Sequence, residues 1–296
     1  MRPPLVLTIA ASETDGAAGL QADLKTFTAL GAYGASVVSM VTVVTAAGVE
    51  STHPLPAGVV RRQIEAVAGD LRVDATKIGA LGSAAAVTEV AAAVRAHRGQ
   101  LGTIVLDPVM VSAHGTPLIT AEGAAALATE LVPLADVLCA TMAEAAQLLG
   151  RPLAISIDEI REQALALQAK GPRAVLITGG RLEGEDVVDV LVHEGGTDLL
   201  RARRVPGRRV RGAGTTLSAA IAAQLARIAE FDRAGELGEI GEKGTDDDMV
   251  TIVASAREFV ASATENASDW RLSQHEGGYG PVNHLKIGRA SCRERV

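Results

Sequence analysis

Hydrophobic positions along the chain fall into short β-branched runs that alternate with alanine-rich segments of helical spacing. This alternation is typical of β-α-β units, in which parallel strands lie buried between helices. The predicted strands are Leu5–Ala10, Ser36–Val43, Ala75–Ile78, Thr103–Leu106, Val137–Cys139, Ala174–Ile177, Val187–Val192 and Asp198–Arg203, the last two as an antiparallel pair. The predicted helices are Gly19–Leu30, Ala57–Asp70, Ala84–Arg98, Ala121–Leu131, Ala143–Leu149, Ile157–Lys170, Thr215–Ile228 and Val250–Ala263. We therefore expect an α/β fold built on one continuous sheet.

Two segments interrupt this pattern. Residues 235–248 are acidic and glycine-rich, which predicts a mobile surface loop. Near residue 286 the composition changes abruptly, and the segment 286–296 looks like a translated sequencing adapter, with a genuine basic tail as the alternative. We therefore predict a single domain over residues 1–285 and set the tail aside.

Composition narrows the function classes. Aromatic residues make up 2% of the 296 residues and the net charge is −7, both of which argue against a nucleic-acid partner. No apolar run is long enough for a membrane span, so no membrane partner is expected. Cysteine is nearly absent, which favours a reducing, cytoplasmic location over a disulfide framework.

The segment RGAGTTLSAAIAAQLA, residues 211–226, carries the strongest chemical signal. Its small residues Gly212, Ala213 and Gly214 allow the backbone to approach a ligand closely, and a helix follows from Thr215. Because a helix N-terminus presents unpaired N–H groups and a partial positive charge, this turn is a candidate phosphate site. A plain glycine turn before a core helix is the alternative.

Other candidates follow strands whose ends should meet at one edge of the sheet, where α/β proteins bind ligands. The turn from Ala11 to Gly19 follows the first strand, Asp107 closes another strand, and Glu144 lies just beyond the next. Two carboxylates at neighbouring strand ends suit Mg²⁺, directly or through water. The alternative is that Asp107 caps a turn and Glu144 is solvated on a helix.

Six segments in matching order resemble the hydroxymethylpyrimidine/phosphomethylpyrimidine kinases of thiamine biosynthesis, in the ribokinase-like superfamily, over roughly residues 5–285. They are LTIAASETDGAAGLQADLKTFTALGAYG, DATKIGALGS, VLDPVMVSAHGTPL, ITGGRL, GAGTTLSAAIAA and GYGPVNH. Pyridoxal kinases of the superfamily share several of them. The resemblance implies a three-layer αβα fold with a mainly parallel central sheet. It also implies transfer of the ATP γ-phosphoryl to a pyrimidine alcohol with Mg²⁺, and a homodimer.

The resemblance also assigns roles to residues. The anion hole and catalytic position would be formed by Gly212, Ala213, Gly214 and Thr215. The pyrimidine would contact Ala11, Gly19, Asp23, Val44 and Ala80. The nucleotide phosphates would lie near Thr178, Gly179, Gly180 and Arg211, and magnesium near Asp107 and Glu144.

This chain departs from the family pattern at positions that carry chemistry. Thr215 stands where the family has a catalytic Cys or Asp. A threonine hydroxyl is so weakly acidic that it stays protonated near neutral pH, and it therefore cannot take the proton from the substrate hydroxyl. The other departures are Arg211 for His, Thr141 for Asn, Val44 for a ring-reading Gln, Ala80 for Met and Glu13 for Asp. Three hypotheses follow: a weak kinase of the family substrate, a kinase of another alcohol such as pyridoxal, or a non-catalytic protein that binds a nucleotide or pyrimidine.

Overall fold

The structure is a computed structural model that describes residues 2–204, 210–234, 245–267, 270, 272 and 280–285. Its strands are β1 (Leu5–Glu13), β2 (Tyr33–Thr45), β3 (Gly48–Pro54), β4 (Ala75–Ile78), β5 (Thr103–Leu106), β6 (Val137–Thr141), β7 (Ala174–Thr178), β8 (Asp186–His193), β9 (Gly196–Arg203), β10 (Val210–Arg211) and β11 (Gly280–Pro281). Its α-helices are α1 (Gly19–Ala29), α2 (Ala57–Asp70), α3 (Ala84–Ala96), α4 (Ala121–Ala126), α5 (Met142–Leu149), α6 (Ile157–Gln168), α7 (Ala213–Ala234) and α8 (Thr245–Glu265).

Nine strands form one sheet in the order β3-β2-β1-β4-β5-β6-β7-β8-β9. The run from β2 to β7 is parallel throughout, whereas β3, β8 and β9 are antiparallel to their neighbours. The prediction of a mainly parallel sheet with a final antiparallel pair is thus confirmed. A separate small sheet pairs β10 with β11.

Helices cover both faces of the sheet, which confirms the three-layer architecture. One apolar cluster packs α2, α3, α4, α5 and α6 against one face, and a second packs α1, α7 and α8 against the other. Along β1, Leu5, Leu7 and Ile9 belong to the first cluster and Val6 to the second. Side chains of a strand alternate between the two faces of a sheet, so an almost continuous apolar run supplies both layers.

Several boundaries differ from the sequence predictions. Strands β1 and β2 run on to Glu13 and Thr45, and the edge strand β3 had no predicted counterpart. The predicted helix Ala121–Leu131 is α-helical only to Ala126 and continues as a π turn over Leu127–Leu131. Ser156 caps α6 by accepting from the Glu159 N–H at 3.2 Å, while the Glu159 carboxylate accepts from the N–H of Ile155, one residue before the cap.

The predicted acidic loop 235–248 falls mostly outside the described residues, which omit 235–244, and its last four residues belong to α8. The tail 286–296 also lies outside the described residues. In the part of the chain that the structure describes, no helix is long and apolar enough to cross a membrane.

Candidate active site

The predicted site residues of the parallel strands lie along one edge of the sheet. Parallel strands present their carboxyl ends together, and the register pairs Thr141 of β6 with Thr178 of β7 at that edge. Strand β1 ends at Glu13, and Asp107 follows β5 directly. This edge therefore brings together groups that are more than 100 residues apart in the sequence.

The turn before α7 makes a close backbone contact with the loop after β1. Gly212 has φ +85°, and a Cβ at this position would lie 1.8 Å from the carbonyl oxygen of Ala17. Helix α7 begins at Ala213, two residues earlier than predicted, and its first intrahelical bond runs from Thr216 N–H to Gly212 O at 2.8 Å. The N–H groups of Ala213, Gly214 and Thr215 therefore precede the hydrogen-bonded part of the helix, as an anion site requires.

Two buried side chains hold the first turns of α7 in place. Ser218 Oγ donates to Asp107 Oδ2 at 2.8 Å, which joins the helix to the end of β5. Thr216 Oγ1 lies 3.0 Å from Nε2 of His284, in the segment that follows β11. Burial, with a smaller effect of Lys25, lowers the pKa of His284 to about 4, so its ring is neutral at pH 7. The sequence analysis did not single out Ser218 or His284.

Glu144 has a structural role that the sequence analysis missed. Its carboxylate accepts from Thr141 N–H at 2.8 Å and from Thr141 Oγ1, while Thr141 Oγ1 accepts from Glu144 N–H, so the two residues form the capping box of α5. Burial, followed by the nearby charge of Asp107, raises the pKa of Glu144 to about 7. The two predicted magnesium ligands are therefore close enough to repel each other.

Asp23 is buried beneath the edge. Its side chain is 0% exposed, and its oxygens accept from Thr8 Oγ1 at 2.6 Å and from Lys77 Nζ at 3.1 Å. Lys77 Nζ also lies 3.6 Å from Asp107 Oδ2. Burial would lower the pKa of Lys77, but Asp23 and Asp107 outweigh this effect and raise it, so Lys77 stays charged. The predicted pyrimidine contact Asp23 is thus engaged within the protein.

Arg211 is 4% exposed and pairs with two carboxylates at the end of β1. Its guanidinium donates to Glu13 Oε2 at 2.9 Å and also to Asp15, while its buried Nε has no hydrogen-bond partner. Burial raises the pKa of Glu13, with Arg211 acting in the opposite direction. The candidate anion site at residues 212–215, which we call the anion turn, thus follows a cation whose charge is balanced by two carboxylates at the end of β1 and in the loop after it.

A small apolar cluster lies at the same edge, around two of the predicted pyrimidine contacts. Ala11 and Ala80 pack with Met40 and Leu118, and all four are buried. Val44 lies in the β2–β3 hairpin, where its backbone N–H donates to Thr14 Oγ1 and its carbonyl accepts from the same hydroxyl. Gly19 begins α1 after the intervening turn.

The predicted nucleotide loop after β7 is held by ionic groups from other elements. Gly179 N–H donates to Asp189 Oδ1 at 2.9 Å, and Asp189 Oδ2 accepts from Arg257 Nε at 2.8 Å. Arg204 donates to the carbonyl of Gly180 at 2.7 Å. These contacts fix the backbone next to Thr178 without occupying its side chain.

No cluster of three or more His, Cys, Asp and Glu suited to a metal occurs among the residues that the structure describes. Asp107 and Glu144 nevertheless fit Mg²⁺, which commonly takes one or two carboxylates and completes its coordination with water and substrate phosphates. Burial and, to a smaller extent, the charge of Asp107 raise the pKa of Glu144, and a bound cation would oppose both effects.

The fold, and the edge at which Ser218 of α7 bonds Asp107, define a ribokinase-like protein. Residues 13–239 match the family described as Phosphomethylpyrimidine kinase, and the chain belongs to this family. It is 37% identical over 281 residues to the hydroxymethylpyrimidine/phosphomethylpyrimidine kinase of Rhizobium meliloti, covering 95% of this chain and 97% of that protein. It is 36% identical to the Escherichia coli protein of the same name, covering 94% of this chain and 96% of that protein.

Solved structures of kinases share this fold. The pyridoxal kinase from Staphylococcus aureus in complex with AMP-PCP and pyridoxal has a TM-score of 0.79 and 29% identity, covering 96% of this chain and 94% of that one. The phosphomethylpyrimidine kinase from Clostridium difficile has a TM-score of 0.71 and 30% identity, covering 88% and 98%. The expected family and fold are therefore confirmed.

Proposed function

We propose that this chain is an ATP-dependent kinase that phosphorylates hydroxymethylpyrimidine, its phosphate, or both, in thiamine biosynthesis. The observation that carries the proposal is the bond between Ser218 and Asp107, which joins the second turn of α7 to one of the two candidate magnesium carboxylates. Nearly full-length similarity to kinases named for these substrates supports the same reaction.

The N-terminus of α7 would stabilise the transferred phosphoryl group. Negative charge spreads over the phosphoryl oxygens in the transition state, and fixed N–H donors lower its energy. The donors are the N–H groups of Ala213, Gly214 and Thr215, and the contact between Gly212 and Ala17 fixes their position. Positioning and electrostatics of this kind supply most of the catalysis in phosphoryl transfer.

Magnesium would be held by Asp107 and Glu144, directly or through water. The ion neutralises charge on the ATP phosphates when it is bound. The residues that would contact the nucleotide phosphates are Thr178, Gly179, Gly180 and Arg211. ATP use is supported by neighbouring kinases solved with AMP-PCP and ADP.

Thr215 leaves the site without the usual base. We propose that the chain transfers the phosphoryl group slowly, because the anion turn and the carboxylate pair are both present while the proton acceptor is not. A loose transition state allows the proton to leave late, to water. Replacing Thr215 by Cys should raise the turnover number, with Thr215→Ser as the matched control that stays near wild type. A Cys variant no faster than the Ser variant would contradict the missing-base explanation.

The acceptor alcohol would lie against the apolar cluster of Ala11, Met40, Ala80 and Leu118. Val44 provides no side-chain hydrogen bond to the ring, and Ala80 leaves more space than a methionine. Weak discrimination between related alcohols is the expected result, because a missing polar partner removes a penalty against analogues. Pyridoxal is the second candidate acceptor, supported by the fold similarity to pyridoxal kinases.

Assembly and location remain predictions. We propose a homodimer, which light scattering of the purified protein would test. The near absence of cysteine favours a cytoplasmic location.

The test of the proposed function is ADP release by the purified protein with Mg-ATP. The rate should increase when hydroxymethylpyrimidine is added, and it should increase less with pyridoxal. A larger increase with pyridoxal would favour the second candidate. Thermal stabilisation by ATP without turnover on either alcohol would instead indicate a non-catalytic binding protein.

A further inference from the structure

A charged cluster lies beneath the site edge on the side of the sheet covered by α1 and α7. We call it the Lys77 cluster, and its members are Thr8, Asp23, Lys77, Asp107 and Ser218. The ammonium of Lys77 lies 3.1 Å from both oxygens of Asp23 and 3.6 Å from Asp107 Oδ2. Lys77 is 1% and Asp23 0% exposed, so one cation is shared by two carboxylates almost without solvent.

Stability alone does not account for such a cluster. Removing charges from water is costly, and apolar side chains of similar volume often stabilise a core equally well or better. The cluster also places two carboxyl groups around a single ammonium group. Only one member, Asp107, lies at the site edge next to Glu144, which indicates that the buried groups act on Asp107.

We propose that Lys77 is a positioning residue that, together with Ser218, fixes the orientation of Asp107 toward the magnesium site. The inference rests on the proposed function, since it assigns to Lys77 a part in holding the metal of that kinase. Lys77 comes from β4 and Ser218 from α7, so the carboxylate is fixed from two independent elements.

Lys77 and Ser218 contact the same carboxylate oxygen of Asp107. Both Lys77 and Ser218 engage Oδ2 of Asp107, at 3.6 and 2.8 Å, and no described residue donates a hydrogen bond to Oδ1. Oδ1 is thereby left for a cation or its water. Groups that orient a metal-binding side chain in this way commonly contribute about 10- to 100-fold to metal affinity or activity.

Asp23 and Thr8 complete the arrangement from the other side. Thr8 of β1 pairs in register with Lys77 of β4, and its hydroxyl donates to Asp23 Oδ2 at 2.6 Å. Asp23, a buried residue of α1, in turn accepts hydrogen bonds from the ammonium of Lys77. Asp23 thus holds the ammonium of Lys77 in place, within 3.6 Å of Asp107 Oδ2.

Three single variants test the proposal. Lys77→Met removes the ammonium and Ser218→Ala removes the hydroxyl. Thr76→Val is the matched control, because Thr76 is equally buried on β4 but its hydroxyl donates to the carbonyl of Leu101, away from the site. Two quantities are measured: Mn²⁺ binding in the presence of ADP, by electron paramagnetic resonance, and the free Mg²⁺ concentration that gives half-maximal turnover.

The Mn²⁺ dissociation constant and the half-maximal Mg²⁺ concentration should rise about tenfold or more in Lys77→Met and severalfold in Ser218→Ala. Both should stay at the wild-type value in Thr76→Val. Unchanged metal dependence in Ser218→Ala and Lys77→Met would overturn the proposal. Absence of Mn²⁺ binding by the wild-type protein would overturn it as well.

Lys77→Met leaves two buried carboxylates without their cation, which destabilises the fold. A second variant therefore separates loss of metal binding from loss of folding. The double variant Lys77→Met/Asp23→Asn keeps the net charge of the cluster and should unfold near the wild-type temperature, yet still bind Mn²⁺ weakly. Wild-type affinity in this folded variant would show that Lys77 is only structural. Failure of the proposed function is distinguishable, because wild-type protein would then bind Mn²⁺ and ADP without phosphorylating the pyrimidine.

Discussion

Replacing Gly212 by alanine should destabilise the protein, because the added Cβ has no space. The residue has φ +85°, which costs an L-residue about 1–2 kcal/mol. The Cβ would also lie 1.8 Å from the carbonyl oxygen of Ala17, a backbone atom that moves only with its loop. Overpacking of this kind adds about 1–3 kcal/mol, and the stiffer unfolded chain returns less than about 1 kcal/mol. We expect a loss of roughly 2–4 kcal/mol in the free energy of unfolding.

Thermal unfolding followed by circular dichroism measures this loss. For a chain of this size the midpoint should fall by ~5 to 15 °C. Gly214→Ala is the matched control for stability, since a Cβ there meets nothing within 4 Å and alanine is the better helix former by about 0.5–1 kcal/mol. An unchanged midpoint in Gly212→Ala would refute the close contact between the anion turn and the loop after β1. Turnover of Gly212→Ala should fall by roughly 100-fold, because the N–H donors move with the turn.

Two further predictions concern the nucleotide loop and the acid range. Gly179→Ala should lower the affinity for ATP and the unfolding midpoint, because the added Cβ would lie 2.0 Å from the carbonyl oxygen of Val188. Gly180→Ala is the stability control, because a Cβ there meets nothing within 4 Å. Equal midpoints in the two variants would contradict the close packing at Gly179. Burial lowers the pKa of His284 to about 4, so the unfolded chain binds a proton that the folded chain does not, and stability should fall by at most about 3 kcal/mol as the pH drops from 6.5 to 4. Urea unfolding should show that the free energy of unfolding falls less between pH 7 and pH 5 in His284→Gln than in wild type. Equal falls would refute the lowered pKa of His284 as the cause.

The order and type of most elements could be predicted because their buried positions are apolar and β-branched or alanine-rich. Strand β3 was missed because its sequence, GVESTHP, is mostly exposed and polar and lies at the sheet edge. The extensions of β1 to Glu13 and of β2 to Thr45 were missed for a related reason. Ser12, Glu13 and Thr45 in these extensions are polar and only partly buried, and the backbone pairing of β1 with β2 and of β2 with β3 continues through them.

The site was predictable only in part, since local patterns carry less information about long-range pairing. The Thr-x-x-Glu spacing of Thr141 and Glu144 was a readable signal for a capping box, which the metal interpretation displaced. Lys77 gave no such signal, because its partner Asp23 is 54 residues away and a lysine in a strand is ordinarily exposed. The partners of Arg211 lie almost 200 residues earlier, so its pairing with Glu13 required the fold.

Mass spectrometry of the products formed from hydroxymethylpyrimidine and Mg-ATP shows whether the protein phosphorylates this alcohol, and how many times. We expect a product heavier by one phosphoryl group, followed by one heavier by two, with one ADP released for each group transferred. Transfer that stops at the first product would restrict the function to hydroxymethylpyrimidine itself. Recovery of unmodified hydroxymethylpyrimidine after prolonged incubation, from folded protein that binds ATP, would contradict the assignment.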